Sequence, residues 1–279
     1  LADRAHNNAM LDNTFKYSQH SLSDHCECPR RFYLKYVEKQ AWPLVESNPS
    51  GLSPLEYQAY LWRGTVLHRW IERYWLGVPP LATDDAELNI WWARFTRESF
   101  DALPAQRIPE LALVAPLGNY LLYARFDLLA FNPGSRAVIV DWKTLRGERP
   151  PRYSVFAERL QTRIYLYVLA TASAAFNGGQ AFAPEQCSMR YWLANFPAQP
   201  WVDVPYSADA YEHDKQTLLA MIERIAHATD AAQFGMAEVG QGCTYCTYRT
   251  LCQSQAAQPS PTGLPEMWVD IESVAEIDY

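Results

Sequence analysis

Residues 123–144 read YARFDLLAFNPGSRAVIVDWKT, and the fold turns on them. Two β-rich runs, Tyr120–Phe131 and Ala137–Lys143, flank the turn signal of residues 132–135. A third run, Leu111–Pro116, precedes them across the turn residues 117–119, so the three predict a β-meander. The hairpin brings the carboxylates of Asp127 and Asp141 side by side. Asp141 and Lys143 are two apart on one strand and therefore point to the same face. Two carboxylates and an ammonium beside Val138–Val140 are costly to bury unless something is bound there. A divalent cation offsets that cost, and hard oxygen ligands suit Mg²⁺ or Mn²⁺. The bland alternative is an edge-strand salt bridge between Asp141 and Lys143, which is what such a tripeptide alone usually means.

Working outward, a helix is expected from about Ser21–Ser23, carrying Leu22, Phe32, Tyr33 and Tyr36. A second covers Pro54–Trp75 and stops at Gly77; a third covers Asp84–Leu103, with Trp91, Trp92 and Phe95 at core spacing. After the meander, helical periodicity runs from Ser154 to Phe176. Strands at Cys187–Asn195 and Trp201–Pro205 follow, then a helix over Ser207–Phe234 capped by Ser207. The expected fold is α/β: a central mixed sheet, meander plus added strands, flanked by helices. A chain of 279 residues, 49% hydrophobic, can bury one sizeable core. We expect one domain over residues 1–252 and a separate acidic tail over 253–279.

Three further positions lie near the acidic pair in order along the chain. Gly64 and His68 close a helical GTVLH segment, where the imidazole can reach a metal, although a lone helical His is usually structural. Gln161 and Tyr165 are four apart on the helix after the Asp–Lys strand and share a face. Glu110, heading the first strand, is a weaker candidate acid.

This order, Gly64–His68, Asp127, Asp141–Lys143, Gln161–Tyr165, resembles the RecB-like branch of the PD-(D/E)XK nucleases, with their restriction-endonuclease-like core. The resemblance implies that His68, Asp127, Asp141 and the backbone carbonyl of Trp142 bind the metal. It implies Lys143 as the catalytic lysine, and Gln161 and Tyr165 as groups that position DNA. The metal would polarise the scissile phosphate and supply hydroxide, with Lys143 stabilising the developing charge. The implied activity is metal-dependent hydrolysis of DNA, by an exonuclease or by flap or end cleavage on single strands. DNA repair, recombination and CRISPR adaptation all use such enzymes. The rival reading is a module that binds DNA ends or a partner protein and cleaves little.

Cys243, Cys246 and Cys252 form C-x₂-C-x₅-C in GCTYCTYRTLC, a spacing that suggests metal ligation and needs a fourth ligand. Cys28 is the leading candidate and Cys26 its competitor. Three neighbours plus one distant ligand suit zinc less well than an iron–sulfur cluster. The pattern is similar to that of AddB-type helicase–nucleases and CRISPR-associated RecB-like exonucleases, where one Cys precedes the nuclease core and three follow it. That resemblance implies a 4Fe–4S cluster on Cys28, Cys243, Cys246 and Cys252, stapling the N- and C-terminal regions together. Cys187, inside a β-run, reads as a buried thiol.

The net charge of −7 opposes a general DNA-coating protein, but a groove needs only a local patch. Residues 29–39, PRRFYLKYVEK, hold one, and Arg30, Arg31 and Lys35 are candidate phosphate contacts. Phe32, Tyr33 and Tyr36 either stack bases or serve the core. No apolar run approaches the ~18 residues of a membrane span, and residues 1–11 lack a signal pattern, so a cytoplasmic setting without membrane contact is expected. The acidic tail makes a poor DNA contact and is expected to dock on a partner protein or cover the basic groove. A plain packed terminal element is the alternative.

Overall fold

The computed structural model describes residues 10–12, 14–40, 54–237, 243 and 246–252. Its strands are β1 (Lys16–Tyr17), β2 (Gln106–Leu117), β3 (Tyr120–Asn132), β4 (Arg136–Lys143), β5 (Cys187–Leu193) and β6 (Trp201–Pro205). Its helices are α1 (Gln19–Glu27), α2 (Pro29–Phe32), α3 (Pro54–Trp75), α4 (Ala86–Phe95), α5 (Tyr153–Ala157), α6 (Leu160–Ala172), α7 (Ala208–Ala226) and α8 (Arg249–Cys252).

β3 is the spine. Along one edge it pairs antiparallel with β2 from Gln106↔Phe131 to Leu117↔Tyr120. Its other edge is shared: β1 runs parallel to Leu121 and Leu122, and β4 runs antiparallel to residues 128–132. β4 leaves β3 after Val140 and continues beside β5, in parallel, to Lys143↔Leu193; β6 closes the order antiparallel to β5. This is the expected mixed sheet. Ala137 and Ile139 of β4 pack on one face with Leu22, Ile164 and Leu218 of α1, α6 and α7. Val138, Val140 and Trp142 pack on the other with Leu67, Trp91 and Phe95 of α3 and α4. The hairpin turn closes through Gly134 at φ +72, a conformation that favours a residue without Cβ.

Several expected boundaries move. β2 starts at Gln106, well before Leu111, because Pro109 and Pro116 are tolerated where a strand pairs on one side only. The helix expected over 84–103 is α4 alone. Asp85 caps it, accepting from the Leu88 N–H at 2.9 Å, and the chain then turns so that Phe100 and Leu103 reach the core. The helix expected over 154–176 is divided into α5, α6 and a 3₁₀ turn at Ala174–Phe176. That expected over 207–234 ends at Ala226 and is followed by a 3₁₀ turn at Ala231–Gln233. At the N-terminal end, the extended Cys28 separates α1 from α2, as a residue before proline prefers. Among the described residues, no helix is long and apolar enough to cross a membrane. The tail 253–279 lies outside the described residues.

One polar cluster ties α7 to α6. Asp214 is buried, accepts from Arg163 Nε at 2.5 Å and from the Tyr206 hydroxyl at 3.1 Å. Asp214→Ala removes the acceptor of the Tyr206 hydroxyl and the partner of the partly exposed Arg163, and is expected to lower the unfolding free energy by about 2 kcal/mol. Urea denaturation checks this; a midpoint unchanged from the parent would show the cluster to be idle.

Candidate active site

The site forms where β4 leaves β3. Past Val140 the ladder between them ends, and the Trp142 N–H donates to Asp127 Oδ2 at 2.9 Å instead. β3 also changes step here. Leu122, Ala124 and Phe126 belong to the α6-side core, yet so do Leu129 and Phe131, so the alternation slips at residues 127–128. β2 slips opposite it: Leu111, Leu113 and Ala115 pack on that core, as does Ile108. Between Ile108 and Leu111, Glu110 has φ +51, in the left-handed region that a side chain occupies under strain. Pro109 pairs with Leu128 and Leu111 with Phe126, so Glu110 stands across from Asp127. This paired kink takes both acids out of the ordinary strand alternation. Local departures of this kind re-aim side chains beside active sites.

α3 supplies His68, one residue after the buried Leu67. Its Nε2 lies 2.8 Å from the Trp142 carbonyl oxygen, and its Nδ1 lies 3.4 Å from Asp127 Oδ2. Burial opposes a charged imidazole, but the Asp127 carboxylate outweighs it, and the His68 pKa rises to about 9. Burial raises Asp127 in turn, but His68 and the Trp142 N–H hold its pKa below the ordinary value. Burial and the neighbouring Asp127 push Glu110 up to about 7, against the pull of Arg125, whose Nε donates to it at 2.8 Å. The weaker candidate acid of the sequence is thus brought to the site.

Asp141 and Lys143 lie on the α6 side, each side chain 1% exposed, with Lys143 Nζ 2.9 Å from Asp141 Oδ2. Gln161 of α6 donates its amide to Asp141 Oδ1 at 2.8 Å. Tyr165, one turn on, packs edge-on against Phe126 at 5.3 Å. Three supporting residues carried no sequence signal. The Tyr191 ring lies 5.8 Å from Lys143 Nζ, and its hydroxyl pairs with Thr162 Oγ1 at 2.6 Å. The Tyr60 hydroxyl donates to the Thr144 carbonyl, which Asn195 also reaches at 3.2 Å. Such contacts join residues 29 to 84 positions apart, so no local pattern could have flagged them.

Among the described residues, no three His, Cys, Asp or Glu side chains converge on one point as a bound metal ion would draw them. The donor set nevertheless fits a hard divalent cation. His68 Nε2, the Trp142 carbonyl oxygen and the Asp127 carboxylate, which adjoin one another, are nitrogen and oxygen donors of the kind that would hold such a cation. Asp127 stands beside both, and the imidazole would surrender a proton to bind.

The pH dependence follows from these shifts. His68 and Glu110 have folded pKa values above their ordinary ones, so the stability they contribute is complete at low pH. It is lost as pH rises through about 7 for Glu110 and about 9 for His68. Without divalent cation, the melting temperature is expected to fall from pH 6.5 to pH 9.5, by roughly 2 kcal/mol of stability. His68→Gln should flatten the upper part of that curve, as read by thermal melts in EDTA; an unchanged profile would remove the His68–Asp127 pair as its source.

The basic patch is internally balanced. Arg31 pairs with Asp24 at 2.8 Å and Glu27 at 2.6 Å, Lys35 pairs with Asp24 at 2.9 Å, and Arg30 lies over the Tyr33 ring at 5.0 Å. Phe32 and Tyr33 are buried, which decides for the core and against base stacking at those two positions.

The cysteines fall into two groups. Burial and then neighbouring thiols raise Cys246 and Cys252, each of which feels both Cys28 and Cys243. Cys26 is exposed, and its charged neighbours are Arg224 and Glu27. Cys187 is buried, with its thiol pushed up to about 12 by burial.

Among solved structures, the protein named SSO0001 is 15% identical, with 87% of each chain covered and a TM-score of 0.42. A protein from Eubacterium rectale that carries a provisional exonuclease name is 10% identical, covering 94% of this chain and 96% of its own, at a TM-score of 0.49. No functionally curated protein matches. The PD-(D/E)XK nuclease superfamily model matches residues 16–253, a span that runs from β1 past the last cysteine and takes in the whole forked site. The chain therefore belongs to the PD-(D/E)XK nuclease superfamily.

Proposed function

We propose that the chain is a deoxyribonuclease of the RecB-like branch, dependent on Mg²⁺ or Mn²⁺, that cuts single-stranded DNA at ends or flaps. The observation that carries the reading is the β3–β4 fork, which sets the His68–Asp127 pair and the Trp142 carbonyl beside a second pair, Asp141 and Lys143. His68, Asp127, Asp141 and that carbonyl would hold the cation. When bound, it polarises the scissile phosphate and acidifies a water. Lys143 positions the attacking water and offsets negative charge developing on the phosphate. Asp141 holds the Lys143 ammonium, and Gln161 fixes Asp141 through its amide. Tyr165 sets the strand against α6.

The same reading assigns a 4Fe–4S cluster to Cys28, Cys243, Cys246 and Cys252, joining the two ends of the domain of residues 1–252. Their mutual electrostatic influence supports it. Repair, recombination and CRISPR adaptation are the pathways in view, and the tail 253–279 is assigned to a protein partner. The test is a digest of end-labelled single- and double-stranded DNA with Mg²⁺, Mn²⁺ and EDTA. Metal-dependent shortening of single strands is expected. Binding without cleavage in either metal would make the chain an end-binding module.

A further inference from the structure

Between its pairing with β1 and its pairing with β4, β3 has an open edge among the described residues, at 123–127. A shallow, solvent-open cleft lies at that gap. Its walls are Ser18 and His20 at the start of α1, Tyr123 and Arg125 on β3, and Tyr165 on α6. We propose that this cleft is a phosphate subsite, which holds the phosphate next along the DNA strand from the one that is cut. The identity of the strand rests on the nuclease reading above; the anion chemistry of the cleft does not.

The lining is the first argument. In a chain of net charge −7, the described residues that line the cleft include an arginine, a histidine and two tyrosines, with no Asp or Glu among them. The first turn of α1 behind Ser18 also carries no acid, so nothing there cancels the positive end of the helix. The second argument is placement. Arg125 lies two residues before Asp127 on β3, a backbone separation of at most about 7 Å from the acid at the fork. That is the scale on which successive phosphates follow one another on an extended strand. The third is orientation. Glu110 grips Arg125 through Nε at 2.8 Å, which fixes the planar guanidinium that recognises phosphate. Tyr165 completes the link, since α6 also carries Gln161 to Asp141. The kinked Glu110 thus has a part in the substrate side of the site as well as beside Asp127.

The test is oligonucleotide binding in EDTA, where no cleavage occurs, read by fluorescence anisotropy. A series of short single strands carries one neutral methylphosphonate at successive positions, plus ends with and without 5′- or 3′-phosphate. For the parent chain, one methylphosphonate position should weaken binding roughly tenfold. Arg125→Gln and His20→Ala should each bind more weakly and lose the sensitivity at that position alone. His20 belongs to α1, a different element from Arg125 and Glu110, so it probes the cleft from its other wall. A tenfold effect from a terminal phosphate, with none from internal positions, identifies the anion as a strand end. Variants that keep the parent's full pattern of sensitivity, or a parent that binds no oligonucleotide, would overturn the subsite. Position-specific binding without cleavage in Mg²⁺ or Mn²⁺ would leave the subsite standing and remove the nuclease reading.

Discussion

Lys143→Ala is expected to slow DNA cleavage by roughly 10³-fold, measured on end-labelled strands in Mg²⁺. Removing one well-placed donor to a developing anion costs about 10²–10³ in rate. Here the donor also sits 2.9 Å from Asp141 Oδ2 in a pair whose side chains are each 1% exposed. Taking away the ammonium leaves Asp141 with the Gln161 amide and a buried charge, which destabilises by about 3–5 kcal/mol. That is a large share of a domain's usual net stability of about 5–15 kcal/mol. The rate must therefore be read beside a melt. The double change Asp141→Asn with Lys143→Met separates the two effects, because it removes both buried charges while keeping the size of both side chains. It should lose activity at least 100-fold with a smaller fall in melting temperature. Folded variants of both kinds that still cut within tenfold of the parent would place the chemistry elsewhere.

If the proposed 4Fe–4S cluster is present, Cys246→Ala loses iron and brown colour, and unfolds or aggregates. Cys28 and Cys243 are about 215 positions apart, and closing such a loop stabilises by on the order of 5 kcal/mol in the chain-entropy picture. The effect rivals that of breaking the Asp141–Lys143 pair, but it acts on the whole domain and not on one strand end. Iron content and visible absorbance give the first readout, and a denaturation curve the second. Cys28→Ala should behave like Cys246→Ala, whereas Cys26→Ala should keep its iron. The contrast rests on neighbours: Cys28 lies within electrostatic reach of Cys246 and Cys252, while Cys26 faces Arg224 and Glu27. A colourless Cys246→Ala that stays folded and active would end the staple idea.

Much of the site was legible because its chemistry lies in short local spacings. D-x-K on a strand puts two side chains on one face, and Q-x-x-x-Y on a helix does the same, whatever else the chain does. Cys26 and Cys28 show the limit of such reading. Two residues apart, they are equivalent by spacing, and only the extended backbone at Cys28 and the placement of α8 distinguish their surroundings. Arg31 and Lys35 show another limit. Their charges were plain in the sequence, but their partner Asp24 lies 7 and 11 positions away and meets them only because α1 folds against α2 and the helical segment Tyr33–Val37 that follows it.

The residues 123–144 determined by themselves that a hairpin would carry two acids and a lysine, because alternation and a glycine-bearing turn are properties of the local backbone. The mixed sheet was equally readable from the strand and helix patterns around it. Tertiary structure alone decided where β4 leaves β3, and hence that the Trp142 N–H bonds to Asp127 and not to a ladder. It alone decided the paired slip that sets Glu110 at φ +51 opposite Asp127. The consecutive Leu128 and Leu129 were the one trace of that slip in the sequence. A change of step in a strand reverses which face each later residue occupies, and only the neighbouring strands and helices determine where it falls.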